Sequence, residues 1–145
     1  MKRHKKIVLL AHCILNQNAV VYPLARANGG FNEIICNYLK DGYGLYQLPC
    51  PELQHLGLSR MPMSKEDYNT TEYKDLCHAL AQKVIEDIRG FVADDVSIDI
   101  LHGINESPTC SITAKRGHFM EVLIPLLRQE SIPFKCVEVM ADYTE

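Results

Sequence analysis

Ile7-Val8-Leu9-Leu10-Ala11, followed at once by His12-Cys13, is the stretch on which the fold reading turns. Five apolar residues without polar alternation describe a strand covered on both faces, as in a parallel sheet. Such strands need crossover connections, and the rest of the chain supplies them. Phe31, Ile34, Ile35, Tyr38 and Leu39 recur at helical spacing, which predicts a helix over residues 31–40. Residues 44–48 read as a second, short strand. Thr71 can cap a long helix over 72–91, whose inward stripe includes Tyr73, Leu76, Cys77, Leu80, Val84 and Ile88. Residues 96–101 predict a third strand. A helix follows over 117–129, which Pro125 should kink or divide. A last strand spans 134–139. Residues 14–30 and 53–71 read as loops. The alternation predicts an α/β fold: a single domain over residues 1–145, with a parallel sheet of four or five strands and helices on both faces. A Rossmann- or flavodoxin-like arrangement with strand order 2-1-3-4 fits it.

The composition narrows the function classes. The chain has 145 residues, 47% of them hydrophobic, enough for one real core. A net charge of −3 gives no general attraction to nucleic-acid polymers or membranes. The one basic cluster, Lys2-Arg3-His4-Lys5-Lys6, leads into an apolar run far short of the ~20 residues of a membrane span. It has neither the apolar core nor the cleavage site of a secretory signal, so a cytoplasmic location is expected. Six cysteines in a chain with good helix and strand patterns point to reduced thiols or metal ligands rather than a disulfide scaffold.

Three of those cysteines share a position. Cys13 follows the first strand and Cys50 the second. Cys110 closes the loop Glu106-Ser107-Pro108-Thr109-Cys110 after the third. Ligands of open parallel sheets bind beyond the carboxyl ends of the strands, so the fold would bring all three to one edge. Thiolates favour zinc, copper(I) or iron–sulfur clusters. Three of them leave one coordination position open for water or substrate. Cys36, Cys77 and Cys136 lie within predicted elements and read as core or inert thiols. There is no Gly-rich phosphate loop after the first strand and no Cys-x-x-Cys redox pair.

Ala11-His12-Cys13-Ile14-Leu15-Asn16, Pro49-Cys50-Pro51-Glu52 with Gly57-Leu58-Ser59-Arg60, and Ser107-Pro108-Thr109-Cys110 together resemble the three signatures of the thiouracil desulfidase family. The resemblance implies a 4Fe–4S cluster held by Cys13, Cys50 and Cys110, with one iron lacking a protein ligand. It implies non-redox removal of sulfur, as hydrosulfide, from a thiolated nucleobase or similar thiocarbonyl compound. That iron would take the thiocarbonyl sulfur while water adds to the carbon. The family's catalytic glutamate and serine match Glu52 and Ser107. The chain departs from the pattern at Asn16, Leu56 and Ser111, where the family carries glycine, which marks it as a divergent member. A small thio-compound is the expected partner, and a homodimer is left open.

Around these residues the plainer readings stand beside the chemical ones. Glu52 could serve as a base, cap a helix or pair with Arg60. Ser107 could relay a proton or form a turn. Asn16 and Asn105 are candidate substrate contacts. His12 and His102 could line the pocket or supply a fourth metal ligand, a satisfied hydrogen bond being the plainer role. The competing function classes are a zinc-binding protein using the same cysteines and a metal-free small-molecule binding module.

Overall fold

The computed structural model describes residues 1–145. Four parallel strands form one sheet in the order β2-β1-β3-β4, where β1 is Lys6–Leu10, β2 Gly44–Gln47, β3 Ser97–Ile104 and β4 Lys135–Val139. The strand order therefore matches the 2-1-3-4 expectation. β1 lies between β2 and β3, so the β1-to-β2 connection runs one way along the sheet and the β2-to-β3 and β3-to-β4 connections run the other. Right-handed crossovers then place helices on opposite faces of the sheet. The helix α2, Asn32–Lys40, covers one face, where the Tyr38 hydroxyl meets His102 Nδ1 of β3 at 2.8 Å. Two others cover the opposite face and pack on each other: α4, Thr71–Ala93, and α5, His118–Gln129. Val8, Leu9 and Leu10 are fully buried, as strands covered on both faces must be. Each such side chain is worth about 1.5–3 kcal/mol on burial. They belong to one apolar core of 27 residues.

Several local expectations change. Residues 14–30 and 53–71 are not all loop. A one-turn helix α1, His12–Leu15, starts right after β1, and α3, Pro51–Leu56, starts right after Cys50. Both are too short for periodicity to reveal. Pro51 sits at the first turn of α3, where a missing N–H costs nothing. The cap of α4 is Thr70, not Thr71: its hydroxyl oxygen accepts the Tyr73 N–H at 3.2 Å. α4 runs two residues past the expected end at 91, to Ala93, with Gly90 inside it; one helical glycine costs only about 1 kcal/mol. β3 continues through His102 and Gly103 to Ile104, because residues 100–104 pair with β4. Pro125 lies inside α5 without dividing it.

Candidate functional site

The carboxyl ends of β1, β2 and β3 each deliver one cysteine to a common cavity of about 310 Å³, whose wall includes Cys13, Cys50, Cys110, Glu52, Ser107 and Asn105. The fold brings these six predicted site residues together.

Cys13 is fixed by its neighbours on α1. The Ala11 N–H donates to the His102 carbonyl, continuing the sheet. Gln17 is buried and bridges the loop: its Nε2 donates to the Cys13 carbonyl at 2.8 Å, and its Oε1 accepts the Arg26 N–H at 2.8 Å. His12 Nδ1 lies 3.1 Å from the Leu48 carbonyl, tying this loop to the segment that carries Cys50. Cys50 is itself the N-cap of α3: its Sγ accepts the Leu53 N–H at 3.4 Å.

Cys110 sits on a turn built by Ser107. The Ser107 Oγ accepts the N–H of Thr109 at 3.2 Å and of Cys110 at 3.0 Å, so its own hydroxyl proton remains free to donate. The Thr109 hydroxyl is bonded to the Tyr73 hydroxyl of α4 at 2.6 Å. Glu138 of β4 accepts the Ile112 N–H at 3.0 Å on the far side. Two glycines press on the segment. A Cβ at Gly103 would meet the Cys110 carbonyl oxygen at 2.5 Å, and one at Gly117 the Thr109 carbonyl carbon at 2.3 Å.

The three thiols are close enough to repel as thiolates. Burial pushes Cys13 up to about 12, with the charge of Cys50 adding to it. Burial also raises Cys50, opposed by the Leu53 N–H. Cys110 lies well above the usual thiol range through burial, then through Cys13 and Cys50. Three thiolates can therefore coexist here only around a strong compensating cation, whose binding would release their protons. No three His, Cys, Asp or Glu side chains come close enough together to hold a single metal ion. The donor set, three soft thiols around one cavity, suits an iron–sulfur group.

Glu52 is held from behind. Its Oε1 accepts both the Arg60 Nε–H at 3.4 Å and the Tyr68 hydroxyl at 3.2 Å. Arg60 is buried, and its other nitrogens donate to the carbonyls of Gly57 and Ala19. The pairing of Glu52 with Arg60 was among the sequence expectations. Tyr68, fully buried and stacked on Tyr73 at 4.5 Å between ring centroids, was not. Nothing in its sequence neighbourhood marks it, because the contact spans 16 residues of chain.

Two expected site residues lie elsewhere. Asn16 is exposed and off the cavity wall; its Oδ1 accepts the N–H of Asn18 and caps the 3-10 turn Gln17–Ala19. A short polar side chain before a turn bonds locally more readily than it reaches for a ligand. His102 is buried inside β3, turned toward α2 and bonded to Tyr38, away from the three cysteines. The strand runs two residues past it, which rotates it out of the rim. His12 does line the cavity.

Fold and site together define an α/β protein with a three-thiol cavity at the switch point of a parallel sheet. The chain is 42% identical over 134 residues to the uncharacterized protein MJ0003 of Methanocaldococcus jannaschii, an alignment covering 92% of this chain and 85% of that protein, and it belongs to the same family. No family model matches the chain, and no solved structure matches it. All six cysteines are free, and no helix is long and apolar enough to cross a membrane.

Proposed function

We propose that the protein is an iron–sulfur desulfidase that removes sulfur as hydrosulfide from a small thiocarbonyl compound, such as a thiolated nucleobase. The observation that carries this reading is the meeting of Cys13, Cys50 and Cys110, from three separate loops, on one cavity wall with Glu52 and Ser107. Three soft thiol donors around one cavity support a 4Fe–4S cluster, with zinc on the same cysteines as the alternative. When bound, such a cluster supplies a thiophilic Lewis acid to which the thiocarbonyl sulfur can bind.

The chain's own residues then have defined tasks. Glu52, anchored through Oε1, keeps Oε2 for a water molecule in the cavity and takes its proton as the oxygen attacks the thiocarbonyl carbon. The Ser107 hydroxyl, with its proton free, donates to the substrate or to the departing sulfur. The net change is one water consumed, a C=S bond replaced by C=O, and hydrosulfide released. A cytoplasmic, reducing compartment suits six free thiols.

The test is anaerobic reconstitution with iron and sulfide analysis, followed by assay of hydrosulfide release from 2-thiouracil and 4-thiouracil. About four irons per chain are expected in the wild type and a large loss in Cys50→Ser. Glu52→Gln should keep the iron and lose at least ~100-fold in rate. A wild-type chain that takes up no iron, or one that binds stoichiometric zinc and stays colourless, ends this reading.

A further inference from the structure

His12 is not used by the chemistry above, yet it stands on the cavity wall beside Cys13. Its Nδ1 faces the Leu48 carbonyl at 3.1 Å. A carbonyl oxygen only accepts, so Nδ1 carries the hydrogen and the neutral ring keeps its lone pair on Nε2. No protein group donates to that lone pair.

We propose that His12 Nε2 is the fourth protein ligand of the cluster while no substrate is bound, and that it gives way to the substrate's sulfur. The inference rests on the cluster reading of the previous subsection. Three observations support it. Histidines that bind metals almost always donate their other ring N–H to a carbonyl or carboxylate, which fixes the tautomer and aims the ring; the Leu48 contact is that arrangement. The anchor lies two residues before Cys50 and the ring one residue before Cys13, so the imidazole is held between two of the three cysteine loops. Finally, a bound cluster would gather the Cys13, Cys50 and Cys110 thiolates beside the Glu52 carboxylate. A neutral donor completes the set without adding a fourth sulfur charge, and imidazole suits iron.

The exchange is a ligand substitution. One iron–nitrogen coordination bond breaks and one iron–sulfur bond forms, and no electron or proton is transferred. The Leu48 hydrogen bond keeps the released ring in place to return once hydrosulfide leaves. His12 thus guards the open iron against water and oxygen between turnovers, and only a ligand softer than imidazole displaces it.

The experiment uses the full chain, reconstituted anaerobically, reduced to its paramagnetic state and examined by pulsed electron paramagnetic resonance for nitrogen hyperfine coupling. The wild type should show the coupling of a directly bound imidazole. Added sodium sulfide or 2-thiouracil should remove it. His12→Gln keeps an N–H donor for Leu48 while removing the imidazole. It should retain the cluster signal, lack the coupling, and release iron to a chelator at least several-fold faster than the wild type. A loaded wild-type cluster without the coupling, a coupling that survives in His12→Gln, or unchanged iron release overturns the ligand role and leaves the desulfidase reading standing. A wild type that takes up no iron overturns both.

Discussion

Gly117→Ala tests the claim that the Cys110 turn is set by backbone contact. A Cβ at this position would lie 2.3 Å from the Thr109 carbonyl carbon, 2.4 Å from its oxygen and 2.7 Å from the Cys110 nitrogen. All three are backbone atoms, so no side-chain rotation relieves the overlap. The segment cannot retreat toward β3 either, because Gly103 meets the Cys110 carbonyl from that side. The backbone at Gly117, φ −72° and ψ 159°, suits any residue, so the penalty is contact alone. Overpacking of this kind costs about 1–3 kcal/mol. Losing a glycine N-cap adds up to about 1 kcal/mol, while the less flexible unfolded chain returns about 0.4–1 kcal/mol. The net expectation is a loss of roughly 1–3 kcal/mol, read by urea unfolding of the reduced, iron-free protein. Iron retained after reconstitution should fall as well, since moving Thr109 and Cys110 moves a proposed ligand. Gly90→Ala is the control: nothing lies within 4 Å of its Cβ position, and a helical alanine should gain about 0.5–1 kcal/mol. If Gly117→Ala matches the wild type in both stability and iron content, the turn is not positioned as described.

Tyr68→Phe keeps the stacked ring and removes one of the two donors to Glu52 Oε1. It should destabilise by about 1–3 kcal/mol and slow turnover less than the ~100-fold expected for losing a general base. The double variant with Glu52→Gln should be no slower than Glu52→Gln alone; a further drop would show that Tyr68 does not act through Glu52. His102 supplies a pH dependence distant from the cysteines. Burial lowers it from 6.5 to about 4. Between those values the unfolded chain takes a proton that the native chain refuses, so stability is full above 6.5 and declines as pH falls toward 4. The loss amounts to roughly 3 kcal/mol. Urea midpoints at pH 7 and pH 4.5 should differ by less in His102→Gln than in the wild type; equal differences would remove His102 from this role.

The sheet was legible because its signal is local and repeated. The uninterrupted run at residues 7–11 announces a strand buried on both faces, and helical spacing follows it at 31–40 and again in the long helix. The three cysteines were legible as a group for the same reason: each follows a strand, and a parallel sheet aligns its strand ends. What escaped was set by tertiary contact or by very short elements. One turn of helix at His12–Leu15 carries no measurable period, and Cys50 as the cap of α3 depends on a sulfur accepting an N–H. His102 lies at a strand end in the sequence reading but inside a strand in the fold, because pairing with β4 prolongs β3. Asn16 looked available for a ligand, yet its local bond to Asn18 satisfies it. Tyr68, Gly103 and Gly117 act only through residues remote in sequence.

Arg26 links the beginning of the chain to its far side. Its Nη1 donates to the carbonyls of Met140, Ala141 and Tyr143, its own carbonyl accepts the Glu145 N–H, and both Arg26 and Ala141 line the cavity. The wall beside Cys13 is therefore finished by residues more than a hundred positions later. Synthesis from the N-terminus presents Cys13, Cys50 and Cys110 in turn, but the chamber around them cannot close until residue 141 has emerged and β4 has docked. A cofactor delivered to the growing chain would meet an open rim, and one delivered afterwards would have to pass a finished wall. The order of assembly is thus written into the topology: the Arg26 guanidinium ties the last segment of the cavity wall to the loop that follows Cys13.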